Sequence, residues 1–179
     1  MKIYDITKIA TQCEVKPELK SVFVKHTDKG IIYVATDTFR LIEIKLENED
    51  IKSILPEGFY NLKQWALLAK ETQKKNPDAD LMLSIKPMEN KDSWHYPEYA
   101  NIIPKEVEDN IHLLTEFNIH LVSESFKVLE QITKKPWFTL LRCIKQSEYK
   151  NGRSEMMYLN TWSDNGKSEI TFLVASLNK

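Results

Sequence analysis

Apolar and polar positions alternate along GIIYVATDTFRLIEIKL, residues 30–46. Ile32, Val34 and Thr36 fall on one side and Ile31, Tyr33 and Ala35 on the other, which predicts a strand over 31–36. A second strand over 40–46 then needs a tight turn near Asp37-Thr38. The preceding SVFVKH predicts a strand over 21–26, and Thr27-Asp28-Lys29-Gly30 a turn in which Gly30 supplies a positive φ. Ahead of these, Ile6, Ile9, Ala10 and Cys13 recur at helical spacing. They predict a short helix over 5–15, with Pro17 just beyond its end.

A second unit opens at Gly58. Phe59-Tyr60-Asn61 predicts a short strand leading into a helix over 62–75, with Leu62, Trp65, Ala66 and Ala69 on its apolar side. Asn76-Pro77-Asp78 ends that helix, and DLMLSIKP, residues 80–87, predicts a strand. The polar stretch over 89–109 has little periodicity and reads as an extended loop. A third unit begins near 115, with a strand entering a helix that carries Val122, Phe126, Leu129 and Thr133 on one side. Three strands follow, over 137–146, 154–163 and 169–177, separated by Lys150-Asn151-Gly152 and Asp164-Asn165-Gly166. Asn-Gly is the strongest short hairpin signal. The first and third units repeat an order, a helix and then antiparallel strands, without a residue-level repeat. The expected fold is α+β, with a large antiparallel sheet and helices gathered on one face.

Composition narrows the function. The chain has 179 residues, of which 42% are hydrophobic, enough to build a core. Its formal net charge is −1, so any nucleic-acid contact needs a locally basic face. Lys63, Lys70, Lys74 and Lys75 on one predicted helix, and Lys127, Lys134 and Lys135 on the next, could form such a face. From the pattern alone, the solvated sides of the two helices are the simpler reading.

No enzyme motif assembles. His26, His95, His112 and His120 are scattered without metal-ligand spacing, and four glycines in all leave no phosphate-cradling loop. No metal or cofactor is expected. Asp37 beside Arg40 fits a structural ion pair better than an acid–base group. Cys13 and Cys143 read as buried free thiols of a reducing compartment, and no apolar run reaches signal-peptide or membrane-spanning length. A cytoplasmic protein is expected.

Four segments carry a resemblance. Val34-Ala35-Thr36-Asp37-Thr38-Phe39-Arg40-Leu41 resembles Ala-Thr-Asp-Gly-His-Arg-Leu of the bacterial DNA sliding clamp, the beta subunit of DNA polymerase III. The segment from Tyr96 to Pro104, YPEYANIIP, resembles that family's Phe-Pro-Asp-Tyr-x-x-Val-Ile-Pro. Phe117-Asn118-Ile119, ahead of Val128-Leu129, is similar to the start of its last helix. The closing TFLVASLNK is similar to its terminal Tyr-Val-Val-Met-Pro-Met-Arg-Leu.

The resemblance implies a clamp-like fold and a non-catalytic scaffold, with helices presenting lysines to the backbone of double-stranded DNA without reading sequence. It also implies a pocket for peptide motifs of polymerases or repair proteins. Carried over by motif, the pocket comprises Thr36, Thr38, Phe39, Arg40, Leu41, Pro97, Asn101, Ile102, Val174, Ala175, Ser176 and Leu177. Leu41, Ile102, Val174 and Leu177 would form an apolar floor, and Arg40 a polar edge. Thr38 replaces the family's glycine and Phe39 its histidine, so a glycine-only turn conformation is not expected. Residues 1–110 would be a clamp-like domain whose second half is degenerate or an insertion. Residues 111–179 would be a half-domain that could complete a single domain with 1–50. A ring would require a homo-oligomer. The expectation is a small clamp-like protein of a phage or mobile element. The alternative is a monomeric clamp-fold interaction module, or clamp mimic, without DNA binding.

Overall fold

The computed structural model describes residues 2–10, 16–48, 50–89, 94–96, 98, 99, 103, 119–134, 141–145, 155–163 and 168–175. Its strands are β1 (Ser21–Thr27), β2 (Gly30–Thr36), β3 (Arg40–Glu47), β4 (Gly58–Asn61), β5 (Leu141–Lys145), β6 (Glu155–Trp162) and β7 (Ser168–Ala175). Its helices are α1 (Ile51–Ile54), α2 (Leu62–Glu71), α3 (Ala79–Ser84) and α4 (Ile119–Thr133). The strands form one sheet in the order β4-β1-β2-β3-β7-β6-β5, antiparallel at every join. The β3–β7 ladder joins the first fifty residues to the C-terminal strands, with Leu41 opposite Leu173 and Ile44 opposite Ile170.

The period-two pattern sorts residues to the two faces as expected. Ile31, Tyr33 and Ala35 of β2, Ile42 and Ile44 of β3, and Ile170, Phe172 and Val174 of β7 enter the main core. α2 and α4 both cover this face. Trp65, Leu68 and Ala69 come from α2, and Val122, Val128, Leu129 and Ile132 from α4. Burying each large apolar side chain contributes about 1.5–3 kcal/mol, so these two stripes hold the helices to the sheet. Trp65 also donates from Nε1 to the Tyr4 carbonyl at 3.1 Å, satisfying its polar atom inside the core. The opposite face carries a second cluster, on which no helix packs among the described residues.

Several elements differ from the sequence reading. The expected helix over 5–15 is, in its described part, a single 3-10 turn at Thr7–Ile9. Asp5 accepts from both the Thr7 amide and hydroxyl, and this local bonding competes with a continuing helix. α2 stops at Glu71 instead of 75. Thr72 ends it, its hydroxyl donating to the Ala69 carbonyl and accepting from the Ile3 amide. The expected strand over 80–87 is instead the short helix α3, because the Asp78 side chain accepts from the Leu81 amide and caps it. α1 had no signal in the sequence reading. Of TEFNIHLV, expected as a strand entering a helix, the described part is helical from Ile119. Lys134 closes α4 in a left-handed conformation, φ 57°. Gly30 is required for space and not for positive φ. A Cβ there would sit 2.1 Å from the Leu46 carbonyl oxygen. Cys13, both Asn-Gly turns and Pro136 lie outside the described residues.

Among the described residues, no helix is long and apolar enough to cross a membrane, and no group of three or more His, Cys, Asp or Glu could hold a metal ion.

Candidate docking site and basic helix layer

The β2–β3 turn is held by its own side chains. Asp37 Oδ1 accepts from the Phe39 amide at 3.0 Å and from the Arg40 amide at 2.7 Å. The Thr36 hydroxyl donates to the Arg40 carbonyl and accepts from the Thr38 amide. These bonds fix Thr38 at φ 78°, a left-handed conformation that the missing glycine made unexpected. A β-branched residue there is strained by about 1–2 kcal/mol. Phe39 stands at the tip, 61% exposed.

Arg40 points the other way, into the helix-covered side, and is 6% exposed. Its Nε donates to Asp37 Oδ2 at 2.8 Å and its Nη1 to Glu124 Oε2 of α4 at 3.0 Å. Nη2 reaches the Lys8 carbonyl at 3.4 Å. The residue expected as a polar pocket edge is therefore a clasp between the turn, α4 and the N-terminal segment. The same bonds commit Asp37 to the turn.

On the opposite face, Leu41 meets Val34, Leu173 and Tyr99, with Ile32, Tyr96, Ile103 and Tyr158 packed around them; all four cluster residues are buried. The pocket floor read from the motifs assembles only in part. Leu41 lies in this cluster, whereas Val174, one residue past Leu173, faces the main core. A one-residue shift along a strand changes the face. Leu173, Tyr99, Ile103 and Tyr158 were not named from the sequence; alternate residues from Ile170 are Phe172 and Val174, which face the core, so the same count puts Leu173 on the opposite face. Ala175 is the last residue of β7, paired with Met156. Pro97, Asn101, Ile102, Ser176 and Leu177 lie outside the described residues.

Aromatic contacts pin Trp94, Tyr96 and Tyr99 to this face. Tyr96 stacks on Phe23 at 4.9 Å between ring centroids, Trp94 meets Phe59 edge-on at 5.6 Å, and Tyr96 meets Tyr99 at 5.9 Å. Beside them, Glu43 is buried. Burial pushes its carboxyl above the usual range against the pull of Lys45 and a hydrogen bond from Tyr99. Burial lowers Lys45, but Glu43 and Glu169 more than offset it and hold its ammonium above the usual value. Lys45 Nζ lies 3.3 Å from Glu169, whose other oxygen accepts from Asn160 at 2.9 Å.

On the helix side, Lys63, Lys70, Lys74, Lys75, Lys127 and Lys134 are all exposed. Lys135 lies outside the described residues. α2 and α4 back onto one core, so both turn their solvent faces away from the same side of the sheet. Asp5, Ala66, Lys70, Gln73 and Lys74 line an open cleft of 490 Å³ there. Lys74 is partly engaged, its Nζ 2.6 Å from Glu71. That bond, with the Asp78 amide, holds the Glu71 carboxyl below the usual range.

No protein-family model matches this chain, and no curated protein matches it. Two solved structures are similar across 98% of it. One is DNA polymerase III subunit beta from Borrelia burgdorferi, in complex with a natural product, at 13% identity and a TM-score of 0.47. The other is the DNA polymerase sliding clamp from Bacillus subtilis, at 12% identity and a TM-score of 0.46. The chain is similar to bacterial DNA sliding clamps. It spans 59% of the first structure's chain and 60% of the second's.

Proposed function

We propose that this protein is a non-catalytic, clamp-like scaffold that touches the backbone of double-stranded DNA through its helix layer and docks peptide segments of replication or repair proteins. The observation that carries the DNA half is the gathering of exposed lysines from α2 and α4 on one side of a single sheet. Ammonium groups on such a layer can replace condensed counterions along a duplex without reading bases. The peptide half rests on the apolar cluster around Leu41 and Leu173 on the other face, with Leu41 two residues along the chain from the exposed Phe39. The β3–β7 ladder supports grouping 1–50 with 111–179 in one domain. Encircling DNA would require several copies.

The test is binding to a short duplex of arbitrary sequence. Lys70→Glu with Lys127→Glu should abolish binding while leaving the melting temperature near wild type. Binding that survives the double change would sink the DNA half.

A second reading, an interaction module without DNA contact, draws on the Lys74–Glu71 pair and on Glu124 and Glu130, both exposed on α4. These acids dilute the basic layer. Failure of wild type to bind duplex at low salt, alongside retained peptide binding, would favour it.

A further inference from the structure

We propose that Glu43 and Tyr99 form a pH-operated latch, which fastens the strap carrying Trp94, Tyr96 and Tyr99 to the sheet in acid and loosens it as pH rises. Ile42 and Ile44 of β3 enter the main core, so Glu43 between them lies on the opposite face. It is paired with Val34 of β2 and Thr171 of β7. A carboxyl on an open sheet face keeps its water. This one is buried, and Tyr99 reaches it from outside the sheet with a hydrogen bond. Tyr99 is itself buried against Val34, Leu41 and Leu173. Tyr96 stacks on Phe23 and Trp94 meets Phe59 edge-on, so these two hold the strap by ring surface. Among the described residues the Tyr96 hydroxyl is buried with no hydrogen-bond partner. The closed strap carries that cost and an open one does not.

The groups facing Glu43 compensate its burial only in part. Lys45, on the same strand, lies 3.6 Å from it, but Lys45 Nζ is closer to Glu169 of β7, at 3.3 Å, and is 43% exposed. Glu169 adds a second negative charge. β2 contributes the apolar Val34, and β6 the uncharged Asn160, which donates to Glu169 and Thr171. From the strap come Tyr96 and Tyr99, whose phenols burial holds protonated above their ordinary range. His95 and Glu98, also on the strap, are exposed. Glu43 is therefore the buried group of this cluster that changes charge between acid and neutral pH. Covering it raises its pKa, through burial and against the pull of Lys45 and Tyr99. The closed strap is then most stable below the uncovered pKa and loses that stability as pH rises through the covered one. Opening uncovers Val34, Leu41 and Leu173.

Amide hydrogen exchange read by mass spectrometry on the full chain between pH 4 and pH 8, corrected for the intrinsic pH dependence of exchange, tests it. Protection of the peptide holding Trp94, Tyr96 and Tyr99 should fall across this range, about tenfold for each unit by which closing raises the Glu43 pKa. Protection of β2 should not follow it. Glu43→Gln should remove the fall and keep the acid-side protection at pH 8. Tyr99→Phe should steepen the fall, because the lost donor favoured the charged carboxylate; a ring that only fills space would leave the pH profile as it is. The latch is overturned if wild-type protection does not change with pH, if it falls equally in Glu43→Gln, if β2 loses protection in parallel, or if Tyr99→Phe leaves the profile unchanged.

Discussion

Replacing Arg40 by Met separates a structural clasp from an exposed pocket edge. Met keeps much of the apolar stem and removes the charge. Three partners are lost: Asp37, Glu124 and the Lys8 carbonyl. Glu124 is 58% exposed, so it re-solvates, and its share is about 1 kcal/mol or less. Asp37 is 12% exposed and keeps the two backbone N–H bonds to Oδ1, but Oδ2 is left without its guanidinium. Breaking a buried pair from one side costs about 3–5 kcal/mol. The retained N–H bonds place this pair near the lower end, so the total is about 3 kcal/mol. For a chain of this size that is a fall in melting temperature of about 6–12 °C. Urea unfolding at pH 7 would measure it, with Glu124→Gln as a control expected to cost about 1 kcal/mol or less. Asp37→Asn combined with Arg40→Met should cost less than the sum of the two single changes, because no buried charge is then left unpaired. An Arg40→Met protein within about 1 kcal/mol of wild type would refute the clasp. Weakened peptide binding in that same stable protein would return Arg40 to the pocket rim.

Thr38→Gly should raise stability by about 0.5–1 kcal/mol in urea unfolding, because glycine relieves the left-handed strain and only partly loses the gain to chain entropy. An unchanged or lowered midpoint would contradict the strained turn. The folded-state pKa of Glu43 lies above its unfolded value. Its contribution is therefore fully present below the unfolded pKa and is lost as pH rises through the folded one. Glu43→Gln should consequently gain in melting temperature relative to wild type on going from pH 4 to pH 8, and a constant difference across that range would refute the burial argument. Glu71 runs oppositely. Its depressed carboxyl contributes above the unfolded pKa and loses that contribution as pH falls through the folded one, so Glu71→Gln should lose its deficit in strong acid.

The sheet was legible because strands buried on one or both faces impose period two. Ile31 to Leu46 showed it, and β6 and β7 fall within the stretches expected as strands. Helix α4 was legible from Val122, Phe126, Leu129 and Thr133. Elements governed by one polar bond were not legible. Asp78 capping turned 80–84 from an expected strand into α3, and Asp5 turned the start of an expected helix into a 3-10 turn. Arg40 looked like a pocket residue because motif order carries no side-chain direction; its direction depends on Glu124, 84 positions away. Val174, expected on the pocket floor, faces the main core because a motif at a strand end does not fix which face each residue takes, and one residue changes the face.

The most direct test of the scaffold account is the salt dependence of wild-type binding to a short duplex, compared between two unrelated sequences. The account predicts log affinity falling linearly with log salt, with a slope between about −2 and −5 for the few lysines that can reach one duplex. It predicts the same affinity for both sequences, and a shallower slope or no binding for Lys70→Glu with Lys127→Glu. Affinity that does not respond to salt, or that differs markedly between the two sequences, would contradict it.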